Sequence, residues 1–361
     1  MTAILGIGTA VPGIAVPQND SLRFASNLAQ RAGMNTRFLP KIYAGTRIAR
    51  RHTVLDADFL KSMLEEPQTV HPFYLATGKE KVGPTTRQRM QLYTQHAGQL
   101  AIAAAREALA FAGLEPADIV HLVLISCTGF RAPGSDRELI EGLGLPEDIQ
   151  RTHIGFMGCH GAINGLRVAH AFVESQRHPV LLVAVELCSI HYHYGDDQSK
   201  QVANSLFADG AAAVVLGPGT QAWTIGDTGS RYFRHTENEM SWEIGDHGFE
   251  MTLSRKIPSI IALNLPAAID DWLLSLGRTR AEIASWAIHP GGSAIVQAVA
   301  SCLQLTEMQV AMTWEILSQF GNMSSPTLLF ILARMIEQNA PRPCVLLGFG
   351  PGIFVETAII D

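Results

Sequence analysis

The sequence predicts a layered α/β fold built from two similar halves. Apolar, β-branched runs such as Pro179 to Leu187 are typical of strands that are buried on both faces. Small-residue helical segments lie between these runs, and the second half repeats the order of elements found in the first. A chain of 361 residues is long enough for both halves to bury a large core. We place the boundary between residues 1–219 and residues 220–361.

The first half is organised around one helix that is expected to be buried. Thr86 to Gly113 carries alanine around most of its circumference, which predicts a long helix packed between other elements. The aliphatic run at residues 119–127 predicts a strand that ends in a polar loop. The other predicted elements are a strand at 1–12, a helix at 19–32, a strand at 150–154, a helix from the Cys159 turn to about 176, and strands at 179–187 and 211–216.

The second half follows the same order. A predicted strand at residues 283–288 ends at His289, as the strand at 119–127 ends at Cys127. Residues 315–320 lead into Gly321-Asn322-Met323-Ser324-Ser325 and a helix, in the place of the Cys159 turn and its helix, and two further strands follow. Similar halves pack about a pseudo-twofold axis, which brings these two helix starts together. Cys159, His289 and Asn322 are therefore expected to converge.

Composition narrows the functional class. A net charge of −6 argues against nucleic acid as the main partner. The apolar run around residues 179–190 is too short to span a bilayer and contains Glu186, and the N-terminus lacks the positive region of a signal peptide, so no membrane span is expected. An odd number of cysteines without paired spacing predicts reduced thiols and a cytoplasmic setting: Cys127, Cys159, Cys188, Cys302 and Cys344.

The stretch Gly158-Cys159-His160-Gly161 is where the sequence points to chemistry. A cysteine between glycines, after a strand and before a helix, presents its thiol at a helix N-terminus, where the dipole favours the thiolate. Flanking glycines also allow a substrate carbonyl to approach closely. A buried structural thiol is the alternative interpretation of this stretch alone.

His289 and Asn322 have matching roles in thioester chemistry. Cys159 can carry an acyl group, and His289 can pair with its thiolate and later donate a hydrogen bond to a thioester carbonyl. Asn322 can donate a second bond to the same oxygen, which completes an oxyanion hole. Alone, His289 is explained as a core histidine and Asn322 as a helix N-cap. Their joint occurrence at related positions of the two halves favours catalysis.

Two further stretches carry charged or metal-binding residue types. The basic window that contains Lys41, Arg47, Arg50 and Arg51 is either a solvated face or a dock for phosphate groups. The loop from His191 to Asp197 is a single segment with no distant third ligand, so no metal site is predicted.

Several motifs together resemble one family. The chain resembles the chalcone and stilbene synthases, the type III polyketide synthases, over most of its length. Ketoacyl synthase III enzymes also carry Cys, His and Asn, but their motifs around His and Asn are usually His-Gln-Ala-Asn and Gly-Asn-Thr-Ser. The corresponding motifs of this chain are His-Pro-Gly-Gly and Gly-Asn-Met-Ser-Ser. The motifs that carry the resemblance are Gly158-Cys159, Ile288-His289-Pro290-Gly291-Gly292, Gly321-Asn322-Met323-Ser324-Ser325, Gly348-Phe349-Gly350-Pro351-Gly352, Leu206-Phe207-Ala208-Asp209-Gly210 and Trp242 to Phe249.

The resemblance implies an αβαβα thiolase-like fold, a homodimer and acyltransferase activity. It implies that Cys159 is acylated by a starter, while His289 and Asn322 bind malonyl thioester, stabilise the enolate left by decarboxylation and direct it to the acyl group. Neither a metal nor a redox cofactor is implied, because acyl-CoA and malonyl-CoA arrive as substrates. Lys41, Arg47, Arg50 and Arg51 lie in the region where the family holds the phosphates of coenzyme A.

Departures from the plant pattern bear on the substrate. Phe207 matches a gatekeeper phenylalanine, whereas Met251 stands at the second gatekeeper position and suggests a passage that suits a flexible fatty acyl starter. Cys127 is either an apolar wall or a second reactive thiol, and the wall is favoured because no basic neighbour is evident. The full set that the resemblance places around the substrate is Phe207, Met251, Cys127, Thr128, Cys188, His191 and Ser324.

Three functions remain open at this point. The first is a type III polyketide synthase that extends a fatty acyl starter and closes an alkylpyrone or alkylresorcinol-type ring. The second is a single-round ketoacyl synthase that works with acyl carrier protein, which is also a possible starter donor for the first. The third is a non-catalytic acyl-thioester-binding relative, which the intact Cys159, His289 and Asn322 argue against.

Overall fold

The computed structural model describes residues 1–65, 82–195, 197–220 and 223–361. Its strands are β1 (Thr2–Ala10), β2 (Ile14–Pro17), β3 (Arg50–Thr53), β4 (His121–Ser126), β5 (Gln150–Gly155), β6 (Val180–Leu187), β7 (Asp209–Pro218), β8 (Thr224–Tyr232), β9 (Met240–Gly245), β10 (Gly248–Leu253), β11 (Ser285–Ile288), β12 (Cys344–Gly350) and β13 (Phe354–Ile360). Its helices are α1 (Gln18–Arg31), α2 (Leu39–Ala44), α3 (Ala57–Glu65), α4 (Thr86–Ala112), α5 (Ser135–Leu143), α6 (Gly161–Gln176), α7 (Gln198–Leu206), α8 (Ile257–Ser275), α9 (Ser293–Leu303), α10 (Ala311–Phe320) and α11 (Ser325–Glu337).

Strands from both halves join in one sheet. Within the described residues this sheet has nine strands in the order β11-β12-β13-β8-β1-β7-β6-β4-β5. β1 connects the halves, because it pairs antiparallel with β7 on one side and with the start of β8 on the other. β4 runs parallel to β5 and β6, and β11 runs parallel to β12. β9 with β10, and β2 with β3, form separate two-stranded sheets.

Alternation of side chains along the strands produces the layers. On β4, Leu122 and Leu124 pack with α4, whereas Val123 and Ile125 pack with α6 and α11. On β11, Ile288 packs with α8 and α9, while the intervening Ala287 faces the central helices. The period of two therefore buries both faces of each half, with α6 and α11 in the middle and the other helices outside. The predicted αβαβα layered fold is confirmed.

The predicted alanine-rich helix is confirmed as α4, and it is buried against β1. A capping box between Thr85 and Gln88 starts it, and Gly113 ends it in the left-handed conformation with a φ of 64°. A side chain at Gly6 or Gly8 of β1 would overlap the backbone of α4, so only glycine allows this close approach.

The internal repeat is inexact before Asn322. Strand β5 precedes Cys159, but helix α10 precedes Gly321, so the predicted repetition of element order is wrong at this position. Thr313, Ile316 and Leu317 are the buried residues of α10, and their spacing matches a helical face. The second half therefore supplies four strands to the main sheet where the first supplies five.

Helix α8 is long and apolar enough, by length and composition, to cross a membrane. The core helix of a soluble protein passes the same test. Ile257, Ile261, Leu265, Ile269 and Leu273 recur every four residues and are buried in the core of the second half. This face packs with α9 and the outer side of β11 and β12, which accounts for its apolar character.

Candidate active site

Cys159 lies in the turn that leads from β5 into α6. Gly158, Cys159 and His160 form one turn of 3₁₀-helix directly before Gly161. Gly158 has a φ of +75°, and a Cβ there would lie 2.5 Å from Cδ of Pro351, so this position requires glycine. The turn is thereby held against the Gly350-Pro351 segment of the second half.

Burial controls the ionisation of the Cys159 thiol. Desolvation raises the pKa of Cys159 to about 12, and the nearby Glu186 charge raises it as well, while the polar side chains of Ser324 and Asn322 near the thiol lower it. The sequence predicts a favoured thiolate, so the structure differs in its resting state. Loss of hydration in this enclosed turn outweighs the helix terminus.

His289 follows the last residue of β11. Its backbone N–H donates to the carbonyl of Leu347 at 2.7 Å, which continues the ladder between β11 and β12. The side chain is buried, and within the described part of the chain neither ring nitrogen has a hydrogen-bond partner. Burial lowers the pKa of His289 to about 3, with a smaller contribution from His160. The imidazole is therefore neutral at pH 7.

Asn322 is fixed through its backbone and through one side of its amide. Its N–H donates to the carbonyl of Leu206 at 2.9 Å, and its carbonyl accepts from the N–H of Ala208 at 2.8 Å. The N–H of Ser324 donates to Oδ1 of Asn322 at 2.8 Å. Because Oδ1 is engaged, Nδ2 points away from this bond, and it is buried without a partner among the described residues.

Ser324 holds an uncommon backbone conformation beside this amide. Its φ is 58° and its ψ is −129°, a region that non-glycine residues rarely occupy. Such a conformation costs about 1–3 kcal/mol and is maintained by surrounding contacts. Here the strained turn directs the N–H of Ser324 at the Asn322 amide and its side chain at the Cys159 thiol.

The structure thus brings the three residues to one site, in which His289 and Asn322 are buried and Cys159 is partly exposed. The Asn322 amide lies close enough to the thiol of Cys159 to lower its pKa, but within the described residues neither Nδ2 of Asn322 nor a ring nitrogen of His289 has a hydrogen-bond partner. Buried donors that lack partners cost about 1–3 kcal/mol each, so native proteins rarely keep them without a use. Donors on His289 and Asn322 are available to a carbonyl oxygen that binds next to the sulfur of Cys159.

Sequence reasoning missed the buried carboxylate of Glu186. Glu186 lies on β6, is fully buried and accepts hydrogen bonds from Cys127 N–H (2.9 Å), Thr128 Oγ1 (2.7 Å) and Ser325 Oγ (2.6 Å). Burial raises its pKa to about 7, against these hydrogen bonds. One acidic residue inside the apolar run at 179–190 was the signal that could have revealed it.

A narrow cavity lies beside the site. Its volume is about 90 Å³, and it is lined by four of the predicted substrate residues: Phe207, Met251, Cys188 and His191. Apolar side chains extend it between α1 and α3, and Trp242 and Phe249 of the β9–β10 hairpin form another wall. The hydrogen bonds of the Asn322 backbone to residues 206 and 208 place Phe207 between this cavity and the site.

Cys127, Thr128 and Ser324 lie outside the described wall of this cavity. Cys127 is buried, its Sγ accepts a hydrogen bond from Gly158 N–H at 3.1 Å, and burial together with the Glu186 charge raises its pKa well above the ordinary value. Thr128 Oγ1 donates to Glu186 and accepts from Leu187 N–H at 2.9 Å. Both side chains support the Cys159 turn and the end of β6.

The basic window divides into exposed and inward-facing residues. Lys41, Arg47 and Arg50 are exposed, and Arg47 stacks over the ring of Trp314 at 4.4 Å. Arg51 lines the cavity instead, because its side chain donates to Gln18 Oε1 (3.1 Å), Asn204 O (2.7 Å) and Phe207 O (2.6 Å). Its guanidinium is therefore engaged by the protein.

The window packs beside the His289 loop. Ser293 Oγ, at the start of α9, donates to the carbonyl of Gly45 at 2.6 Å, and Ala49 N–H donates to the carbonyl of Ser318 at 2.8 Å. The exposed cations of the window therefore lie on the surface next to the elements that position His289 and Asn322. Across the ranges that the structure describes, no group of three or more His, Cys, Asp or Glu side chains is placed to hold a metal. Asp196, part of the His191 to Asp197 loop, lies outside the described residues.

Comparison with known proteins decides the family. Residues 1–220 match the model of the N-terminal domain of chalcone and stilbene synthases, and residues 228–361 match the model of their C-terminal domain. The chain belongs to the chalcone and stilbene synthase family. It is a type III polyketide synthase, an acyltransferase-type condensing enzyme, and it has a thiolase-like fold.

Relatives of this synthase come from bacteria and eukaryotes. The chain is 32% identical over 380 residues to "Alpha-pyrone synthesis polyketide synthase-like Pks18" of Mycobacterium tuberculosis, covering 100% of this chain and 91% of the relative. It is 28% identical over 371 residues to 1,3,6,8-tetrahydroxynaphthalene synthase of Streptomyces peucetius, covering 99% and 93%. Among solved structures, PKS-I of the brown alga Ectocarpus siliculosus matches with a TM-score of 0.91 and 29% identity, covering 100% and 98%.

Proposed function

We propose that this synthase condenses malonyl-CoA units, with loss of carbon dioxide, onto a fatty acyl-CoA starter held on Cys159. Its product in this proposal is an alkylpyrone or alkylresorcinol-type ring. The observation that supports the chemistry best is the set of unpartnered buried donors on His289 and Asn322 beside the Cys159 thiol. Two donors of this kind suit an oxygen that gains negative charge during reaction.

Loading of the starter begins from two neutral groups. The Cys159 proton passes to the imidazole of His289 only as the sulfur bonds to the thioester carbon, because an earlier transfer from a thiol of pKa about 12 to an imidazole of pKa about 3 is strongly unfavourable. The sulfur attacks the carbonyl carbon of the acyl-CoA, and the carbon–sulfur bond to coenzyme A breaks. The imidazolium returns its proton to the departing thiolate of coenzyme A. Cys159 then carries the acyl group, and His289 is neutral again.

Extension uses the same two donors on a second substrate. The thioester carbonyl of malonyl-CoA accepts hydrogen bonds from Asn322 Nδ2 and from the ring N–H of His289. The bond to the carboxylate breaks, carbon dioxide leaves, and the electron pair remains as an enolate. The enolate carbon attacks the acyl carbonyl, and the sulfur of Cys159 departs as a thiolate. Removal of one oxyanion donor typically costs about two to three orders of magnitude in rate.

The cavity supports an extended apolar starter. Val16, Phe24, Leu55, Leu60 and Leu64 line it, and both Met251 and Phe207 contribute to its wall. Methionine adapts its shape to a chain more readily than a ring does. The Mycobacterium tuberculosis relative is named for alpha-pyrone synthesis, which agrees with a pyrone as one product class.

Coenzyme A is proposed to bind on the surface side of the site. Lys41, Arg47 and Arg50 are exposed next to the His289 loop and suit contacts with phosphate oxygens. Arg51 instead stabilises the segment at residues 204–207 through two carbonyl contacts. We therefore assign the phosphate contacts to the three exposed cations.

The remaining predictions concern organisation in the cell. We propose two functional halves at residues 1–219 and 220–361, a homodimer, a cytoplasmic setting and no resident cofactor, with acyl carrier protein as a possible second starter donor. Phe130 and Met157, which are 39% and 38% exposed, give an apolar surface that suits a second copy. Light scattering after size exclusion tests the dimer.

The proposed reaction is tested with a series of acyl-CoA starters and malonyl-CoA, with products identified by mass spectrometry. We expect carbon dioxide release, ring products that carry the starter chain, and an acyl adduct on Cys159 in the intact protein. Cys159→Ala should lose the adduct and the products. Cys302→Ala is the matched control, because Cys302 lies on α9 and is remote from the cavity wall.

Other outcomes identify the competing functions. A single extension without ring closure, with acyl carrier protein as the preferred donor, supports the ketoacyl synthase alternative. An absence of any adduct on Cys159 with every starter contradicts the condensing role of this residue. A ring product that forms equally well in Cys159→Ala contradicts the proposed mechanism.

A further inference from the structure

The β9–β10 hairpin carries Met251 but is not part of the main sheet. It forms its own two-stranded sheet, with Met251 paired to Trp242. Isolated two-stranded hairpins are marginally stable, so contacts with the rest of the protein determine where this one lies. Its ends are attached by Asp246 O, which accepts from Thr86 N–H at 2.8 Å, and by Met240 O, which accepts from Gly352 N–H at 2.8 Å.

His191 bridges the hairpin, close to its turn, to the loop after β4. Its Nδ1 accepts from the backbone N–H of Phe249 at 2.9 Å, so Nε2 carries the proton and donates to the carbonyl of Thr128 at 2.7 Å. The ring also stacks on Phe249 with centroids 4.2 Å apart. Both nitrogens are satisfied, and burial lowers the pKa of His191 to about 3, which keeps this neutral arrangement.

Trp242, on β9, makes an equivalent contact with the same loop. Its Nε1–H donates to the carbonyl of Cys127 at 2.8 Å. The two acceptors are therefore consecutive carbonyls of one loop, and that loop is itself fixed by Glu186 and by Gly158 N–H, next to the nucleophile. The hairpin is tied to the backbone that supports Cys159.

We propose that His191 and Trp242 are positioning residues that fasten the β9–β10 hairpin to the Cys127-Thr128 loop and thereby set the width of the passage between Met251 and Phe207. The proposal rests on the proposed function for its consequence, which is selection of the starter by chain length. Phe207 is held by the backbone of Asn322, whereas the strands that carry Met251 are joined to the Cys127-Thr128 loop by these two side-chain donors, in addition to the attachments at the ends of the hairpin and the ion pair of Lys200 with Glu250. Loss of the donors releases one side of the passage only.

Two variants remove the donors and keep an aromatic ring at each position. Trp242→Phe removes the indole N–H, and His191→Phe removes both hydrogen bonds but keeps an aromatic ring over Phe249. Trp272→Phe is the matched control, because Trp272 lies on α8 and outside the cavity wall. His191→Gln retains a donor and an acceptor and should restore part of the effect. A buried carbonyl left without its donor costs about a factor of ten or more in population of the closed arrangement.

Hydrogen exchange of the hairpin is the first readout, and it needs no substrate. We expect the backbone amides of residues 240–253 to exchange about tenfold faster in Trp242→Phe and His191→Phe than in wild type or Trp272→Phe. Starter selectivity is the second readout. We expect the ratio of kcat/KM between short and long acyl-CoA starters to change about tenfold, with the change mainly in KM.

The outcomes separate this proposal from the proposed reaction. Hairpin exchange that matches wild type in both variants overturns the fastening role, whatever the enzyme makes. Faster exchange with an unchanged chain-length profile overturns the link to selectivity. If the wild-type protein releases no carbon dioxide from malonyl-CoA, the proposed reaction fails, while the exchange measurement still decides the fastening role. If one variant does not fold, the other provides the same comparison.

Discussion

Glu186 makes the stability of this synthase depend on pH in a defined direction. The carboxyl has an ordinary pKa of 4.5 and a pKa of about 7 in the folded protein, where it is fully buried. The thiols of Cys127, Cys159 and Cys188 beside it have raised pKa values and stay neutral over the same range. Glu186 is therefore the group in this cluster that titrates near neutral pH.

The magnitude follows from linkage between proton binding and folding. Below pH 4.5 both states hold the proton, and the carboxyl adds no penalty. As pH rises from 4.5 to 7, the unfolded state releases its proton first, so stability falls. Above the folded pKa the penalty is constant at about 3 kcal/mol, because each unit of pKa difference corresponds to about 1.4 kcal/mol. Between pH 5 and pH 8 the change is about 2 kcal/mol.

Glu186→Gln removes the titrating proton and keeps the shape of the side chain. We expect the free energy of unfolding of this variant, relative to wild type, to increase by about 2 kcal/mol between pH 5 and pH 8 in urea titrations. Glu307→Gln, at an exposed position, is the control and should show no such change. A difference between wild type and Glu186→Gln that is constant with pH would refute the reasoning, because it would mean that Glu186 ionises well below neutral pH.

Three other substitutions test the geometry of the site. Asn322→Asp keeps the acceptor for Ser324 N–H but replaces the free Nδ2 donor with an oxygen. We expect release of labelled carbon dioxide from malonyl-CoA to fall at least about 100-fold, while Cys159 is still acylated. Unchanged release would contradict the donor role. Met251→Phe replaces a flexible side chain of the cavity wall with a rigid ring and should shift products toward shorter starters in a chain-length series. Met308→Phe is the control, because Met308 is 89% exposed, and it should leave the series unchanged. An unchanged series in Met251→Phe would show that Met251 does not select the starter. Gly158→Ala places a Cβ 2.5 Å from Pro351 at a φ of +75° and should lower the free energy of unfolding by about 1–3 kcal/mol in urea titrations. Gly13→Ala is the control, because the space around Gly13 is open. Equal stability of the two variants would contradict the packing argument.

Local periodicity predicted the main elements of the fold. The strands β4, β6 and β7 and the helix α4 lie where apolar runs and alanine spacing indicate them, because burial on both faces leaves a continuous pattern in the sequence. The order of elements alone places residues 315–320 in the position of β5, and this does not predict a helix. The helical spacing becomes apparent only when the buried residues from Thr313 onward are included. A repeat in order does not fix the type of each element.

Contacts between remote segments were the part that the sequence could not supply. Glu186 is defined by partners at residues 127, 128 and 325, and no local pattern connects these positions. Arg50 and Arg51 are adjacent arginines that the sequence does not distinguish. On strand β3 neighbouring side chains face opposite ways, so Arg50 is exposed and Arg51 lines the cavity. The pKa of Cys159 likewise depends on the folded state, where desolvation raises it and the nearby Ser324 and Asn322 side chains lower it.

The backbone bridge between Phe207 and Asn322 has a consequence for laboratory evolution of this synthase. A replacement at residue 207 that shifts its main chain by a fraction of an ångström also shifts the amide on which decarboxylation is proposed to depend, since residues 206 and 208 bond directly to Asn322. Libraries aimed at new starters are therefore better directed at Met251, whose strand β10 has no backbone pairing with Asn322 among the described residues.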